Sequence, residues 1–122
     1  MLKKAIPVAL MLMVNTACTA NSNEPAKPEF TALVKVYKSD ESLQCMKGGV
    51  SLEKMSEEIL EAGIPIFCQQ KNKDGNMRPL ACGGPAGKIN VFQIPVEALE
   101  AAQDLGFKQV SELRRFSDQP CQ

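Results

Sequence analysis

Four cysteines, at positions 45, 68, 82 and 121, constrain this chain more than any other feature, and a fifth, Cys18, stands apart near the N-terminus. None of the spacings is Cys-x-x-Cys, so neither a thioredoxin-type redox pair nor a zinc-knuckle ligand pair is written into the sequence. How the four are read turns on compartment, because disulfides persist in oxidising spaces and are rare in the cytosol.

The first twenty residues speak to compartment. Lys3 and Lys4 precede an apolar run at 5–14, and Asn15-Thr16-Ala17-Cys18 follows. A basic start, about ten apolar residues and small residues at the cut describe a bacterial export signal, too short to span a bilayer. Ala17-Cys18 resembles the cleavage site of bacterial lipoproteins, in which the cysteine is lipidated and becomes the first mature residue. Three positions before the cysteine, where that site carries Leu or another aliphatic residue, stands Asn15. The ordinary secretory alternative is a cut after Ala20. The expected organisation is a signal peptide over 1–17 (or 1–20), a flexible tether over 18–29 with Pro25 and Pro28, and one domain over 30–122. The expected location is the bacterial cell envelope, as a lipoprotein anchored through Cys18 and facing the periplasm, or as a soluble periplasmic protein. Four cysteines then remain, an even number that favours two disulfides.

Composition removes several chemistries. The chain holds 14 Lys+Arg and 14 Asp+Glu, and losing Lys3 and Lys4 with the signal leaves 12 against 14. That balance gives no footprint for nucleic acid or for anionic lipid headgroups, which need clustered positive charge. There is no histidine, which excludes Ser-His and Cys-His nucleophile pairs, His-ligated metals and an imidazole pH switch. The glutamates at 53, 57, 58, 61, 97 and 100 lie opposite apolar stripes and read as solvated faces, not as paired acid–base carboxylates. The run at 83–88, Gly-Gly-Pro-Ala-Gly-Lys, falls short of a phosphate-binding loop. Its glycines are one residue too close, Ile89 replaces the magnesium-binding hydroxyl, and a strand follows instead of a helix. Neither a catalytic set nor a cofactor or metal signature emerges.

Periodicity outlines the fold. Residues 31–38 alternate, with Ala32, Val34 and Val36 on one side and Leu33, Lys35 and Tyr37 on the other, which predicts a strand. Ser51 is placed to cap a helix whose apolar face is Leu52, Met55, Ile59 and Leu60, and Gly63 suits its C-terminal stop. Residues 64–68 predict a second strand, restrained by Pro65, and 69–87 a long turn-rich connection. Residues 89–94 predict a third strand. Pro95 opens a second helix with Ala98, Leu99, Ala102 and Leu105 on its apolar face, and Gly106 ends it. A short fourth strand at 107–110 and a tail complete the order βαβ-βαβ. That order is the split βαβ, or ferredoxin-like, sandwich: an α+β fold with a four-stranded antiparallel sheet and two helices on one face.

In this topology the ends of strands one and two and the start of strand three meet at one end of the domain, with Cys45, Cys68 and Cys82 on or just beyond them. The first pairing to consider is Cys68–Cys82 with Cys45–Cys121; Cys45–Cys82 and Cys45–Cys68 stay open, since sequence does not give connectivity. The candidate binding region is the long connection, where Met77, Arg78 and Lys88 sit among glycine turns beside a bridge. The second is the sheet face away from the helices, expected to retain some of Leu33, Tyr37, Phe92 and Ile94 for a partner or for the tail with Phe116.

The stretch 45–107 resembles a group of short bacterial envelope proteins to which no function is attached. The likeness is carried by Gly49-Val50-Ser51, Ala62-Gly63-Ile64, Asp74-Gly75-x-Met77, Cys82-Gly83-Gly84, Ile89-Asn90-Val91-Phe92-x-Ile94-Pro95 and Leu105-Gly106-Phe107. In form the domain also resembles the peptidoglycan-binding repeat domain of cell-division proteins, without that family's glutamine- and glycine-bearing first strand. These readings point to a non-catalytic envelope module that binds a protein or cell-wall partner. The alternative is a thiol-redox or metal-handling protein that uses some of its cysteines.

Overall fold

Alternation decides the architecture. In the computed structural model, which describes residues 32–121, the two-residue period of β1 (Leu33–Ser39) sorts Val34 and Val36 to one face and Leu33, Lys35 and Tyr37 to the other. The expected export signal, the lipidation expected at Cys18 and the expected tether fall outside the described residues. The remaining elements are α1 (Leu52–Glu61), β2 (Cys68–Lys73), β3 (Lys88–Pro95), a 3₁₀ turn (Val96–Ala98) running into α2 (Leu99–Asp104), β4 (Lys108–Gln109) and a second 3₁₀ turn (Val110–Glu112). The sheet is antiparallel throughout, in the order β2-β3-β1-β4. Its most buried strand, β3, pairs with β1 from Leu33↔Pro95 to Ser39↔Ile89 and with β2 from Cys68↔Gln93 to Lys73↔Lys88.

That register places Phe92 opposite Val36 and Ile94 opposite Val34, so all four share a face. Met55 and Ile59 of α1 and Ala102 of α2 close over them, with Ile64 and Phe107, in one buried core. Phe107 stands edge-on to Phe92, ring centres 5.8 Å apart, the arrangement aromatic quadrupoles favour.

Both helices stop in the same way. Gly63 (φ +78°) donates its N–H to Leu60 and Ile64 to Ile59, and Gly106 (φ +96°) donates to Gln103 and Phe107 to Ala102. This paired bonding needs a left-handed residue, which glycine adopts without a Cβ penalty, and it turns the next apolar side chain back onto the helix. Ile64 (3 % exposed) and Phe107 (1 %) are delivered into the core by it.

The second strand differs from the expectation of 64–68. Ile64 is spent on ending α1, and β2 begins at Cys68 with the polar run Cys-Gln-Gln-Lys-Asn-Lys. A sheet-edge strand needs few apolar residues, so its sequence carries little strand signal. The shift also moves Cys68 from the end of a strand to its start, at the opposite end of the sheet from Cys82. The pairing Cys68–Cys82 with Cys45–Cys121 is therefore not formed: the bridges are Cys45–Cys82 (Cα–Cα 5.1 Å) and Cys68–Cys121 (5.8 Å).

The tail covers the face away from the helices. Lys35 Nζ donates to Asp118 (2.6 Å) and to the Gln119 carbonyl (3.1 Å). Gln70 donates to the Gln119 carbonyl (3.3 Å) and Asn72 to that of Ser117 (3.1 Å), and Cys121 is bonded to Cys68. Beneath these contacts Ile89 and Val91 are buried. This face holds Ile89 and Val91, not Phe92 and Ile94, because β3 enters with the opposite phase to the one expected.

Candidate functional site

At the end of the sheet where β2 leaves and β3 enters, two irregular segments are bound into one body. Gln44 organises them. Its amide nitrogen donates to the carbonyls of Pro79 and Pro85 (3.1 Å each), and its amide oxygen accepts from the Ala81 N–H (3.0 Å). Its backbone donates to Gly84 (2.8 Å) and accepts from Gly83 (3.0 Å). Leu43 and Pro85 form an isolated bridge, and Cys45–Cys82 locks the two segments covalently. Cys45 itself sits at φ +65°, a conformation uncommon outside glycine.

A second layer of bonds ties this end to the sheet. Asp74 accepts from the Asn76 N–H (2.9 Å), holds the Arg78 guanidinium in an ion pair, and donates its own N–H to Gly87 (2.9 Å). Asp40, 2 % exposed, accepts from Lys71 Nζ (2.8 Å) and the Ser42 N–H (2.9 Å), and its carbonyl accepts from Val50 (2.7 Å). Burial raises the pKa of the Asp40 carboxyl, but the hydrogen bonds from Lys71 and Ser42 outweigh it and hold the group below the usual carboxylate range.

Between the two segments lies an open cleft of about 570 Å³. Lys47, Lys73, Arg78 and Lys88 line it together with Met46 and Leu80, and among the described residues no carboxylate does. Lys73 and Lys88 are direct cross-strand partners. Like charges so placed repel and weaken the sheet unless something between them is negative. Leu80 is 98 % exposed and Met46 60 %, so the apolar groups form the rim and not the floor.

Of the residues singled out from sequence, Arg78 and Lys88 do meet in this cleft. Met77 (84 % exposed) faces a neighbouring depression beside Glu112 and Leu113. Phe92 is corrected: at 0 % exposure, packed between β1 and the helices, it presents nothing to a partner. Sequence reasoning missed Gln44, whose role depends on Pro79 and Pro85 coming within reach. It also missed Lys47 and Lys73, since a charge sum says nothing about clustering. All four described cysteines are in disulfides, and among the described residues no group of three or more His, Cys, Asp or Glu is placed to hold a metal ion. No family model, curated protein or solved structure matches the chain.

Proposed function

We propose that this chain is a small, non-catalytic binding or accessory module of the bacterial cell envelope, exported by its first 17–20 residues and tethered through lipid on Cys18. We read its α+β domain as a split βαβ sandwich, which the strand order β2-β3-β1-β4 and the shared core of the two helices support. Two disulfides favour an oxidising compartment.

One observation carries the binding reading. The chain commits a disulfide, the Gln44 hydrogen bonds and the Asp74–Arg78 pair to fixing an irregular end, then leaves Leu80 and Met46 in water beside lysines that make no ion pair among the described residues. Loops held rigid on a scaffold are where recognition surfaces are usually built. A photo-activated crosslinker at Leu80, used in living cells, should capture a neighbour, while the same group at Glu57 on the exposed side of α1 should not. Equal capture from both positions, or none from either, removes this reading. Mass spectrometry of the mature N-terminus checks the tether: a diacylglycerol-modified Cys18 supports it, and an unmodified start at Asn21 excludes it.

A further inference from the structure

We propose that the cleft end docks on an anionic phospholipid surface, with Lys47, Lys73 and Lys88 against headgroup phosphates and Leu80 and Met46 entering the apolar boundary. The proposal rests on reading this end as the binding surface and names its partner.

Charge placement is the first argument. The chain as a whole is neutral, yet at this end Asp40 and Asp74 are each committed to a cation, Lys71 and Arg78, and Glu41 lines a separate depression against α1 and not the cleft. Lys47, Lys73 and Lys88 make no ion pair among the described residues, so their charge acts outward uncompensated. The Lys73↔Lys88 pairing is locally unfavourable, and an anion between the two ammonium groups turns that repulsion into attraction. Each lysine near an anionic membrane contributes about fivefold in partition.

The position of the apolar groups selects a membrane over a peptide. Leu80 and Met46 stand on the rim of the cleft, 98 % and 60 % exposed, so a peptide seated on its floor would touch them from one side only. A surface that receives projecting tips buries Leu80 and Met46 at once, each worth on the order of tenfold or more. A polybasic, apolar-tipped patch is also the kind of second signal that a lipid anchor needs to hold a protein stably.

The sequence contains no tryptophan, so Leu80→Trp places a single reporter at the tip of the full chain. Its emission should move to the blue, and be quenched by brominated acyl chains, on vesicles of phosphatidylcholine containing phosphatidylglycerol, but not on phosphatidylcholine alone. Added salt should reverse the shift. Lys73→Gln combined with Lys88→Gln, both exposed positions, should weaken the response roughly 30-fold. Glu57→Trp should report water on both vesicles, which separates docking of this end from any insertion of the leader. Equal response on both vesicles, no response at position 80, or the same response at position 57 overturns the proposal. So does soluble glycerol phosphate binding the double-lysine site as tightly as the vesicle. Protein crosslinks from Leu80 without a lipid response would leave the binding reading standing and this proposal refuted.

Discussion

A cross-strand pair of lysines that makes no ion pair among the described residues costs a small domain stability, and that cost is measurable. Replacing Lys88 by Glu puts opposite charges at the Lys73↔Lys88 position and should stabilise the fold by about 0.5 kcal/mol in denaturant melts. The same substitution should weaken the vesicle response, the exchange of stability for function expected where a site carries a locally unfavourable arrangement. Asp40 has the opposite character. It joins the end of β1 to β2 through Lys71 and to the following loop through Ser42 and Val50, and it is nearly buried. Asp40→Asn keeps the shape but loses a charge-assisted acceptor, and should cost about 2 kcal/mol near neutral pH. The pH dependence follows from its lowered pKa. The stabilisation is complete above the unfolded carboxylate value of about 4 and is lost as pH falls through the lower folded value. The variant should therefore show a flatter stability profile below about pH 4 than the parent, and parallel profiles would contradict this role.

Elements whose signal is local were legible in the sequence; those defined by a partner were not. The Ser51 cap, with its hydroxyl accepting from Lys54 at 3.1 Å, and the glycine stops are written within a few residues each. Ser51→Ala should accordingly cost about 1 kcal/mol. Ala62-Gly63-Ile64 and Leu105-Gly106-Phe107 gave the helix ends, but the apolar residue after each glycine reads equally well as the start of a strand. That ambiguity displaced β2, and with it the disulfide pairing, since β2 is a polar edge strand recognisable by its neighbours alone. The cationic cleft was only half legible: Arg78 and Lys88 stood out beside their glycines, whereas Lys47 and Lys73 reach it through the tertiary path of the chain. The 3₁₀ turn that opens the tail offers an independent check on how the far face is covered. Tyr37, the one tyrosine in the sequence, has its pKa raised by burial, then by the negative charges of Glu112 and Asp74. A raised value favours the protonated phenol in the folded state, so its contribution is full below about pH 10 and is lost as pH rises through the folded value. Phenolate absorbance in the native protein should titrate above the ordinary tyrosine range, and Glu112→Gln should lower the midpoint. An unchanged midpoint would mean that this turn does not sit against Tyr37.

For the molecule as a whole, the two bridges divide the labour. Cys68–Cys121 spans 53 residues and Cys45–Cys82 spans 37, and in the chain-entropy account each stabilises by about 4 kcal/mol. Together they approach the entire stability of a typical domain, in a chain with five Phe and no Trp to build its core. Their surroundings differ. Cys68 is buried under the tail, and opening its bridge would release the segment that shields Ile89 and Val91. Cys45 and Cys82 are both exposed, and Cys45 lines the cleft beside Lys47, Lys73 and Lys88. Cations favour the thiolate, which makes Cys45 a better leaving group when an external thiol attacks Cys82. Graded dithiothreitol, followed by alkylation and peptide mapping, should label Cys45 and Cys82 first, while amide exchange at Ile89 and Val91 stays slow. Cys68→Ser with Cys121→Ser should instead speed that exchange and bind a dye specific for exposed apolar surface. The measured potential of the first bridge then decides between staple and switch. Below about −300 mV it acts as a structural clasp on the docking end, whereas near −120 to −200 mV it exchanges with envelope oxidoreductases and the redox reading gains the site it requires. Labelling of Cys68 and Cys121 before or together with Cys45 and Cys82 would show that the cleft cations do not govern the order of opening.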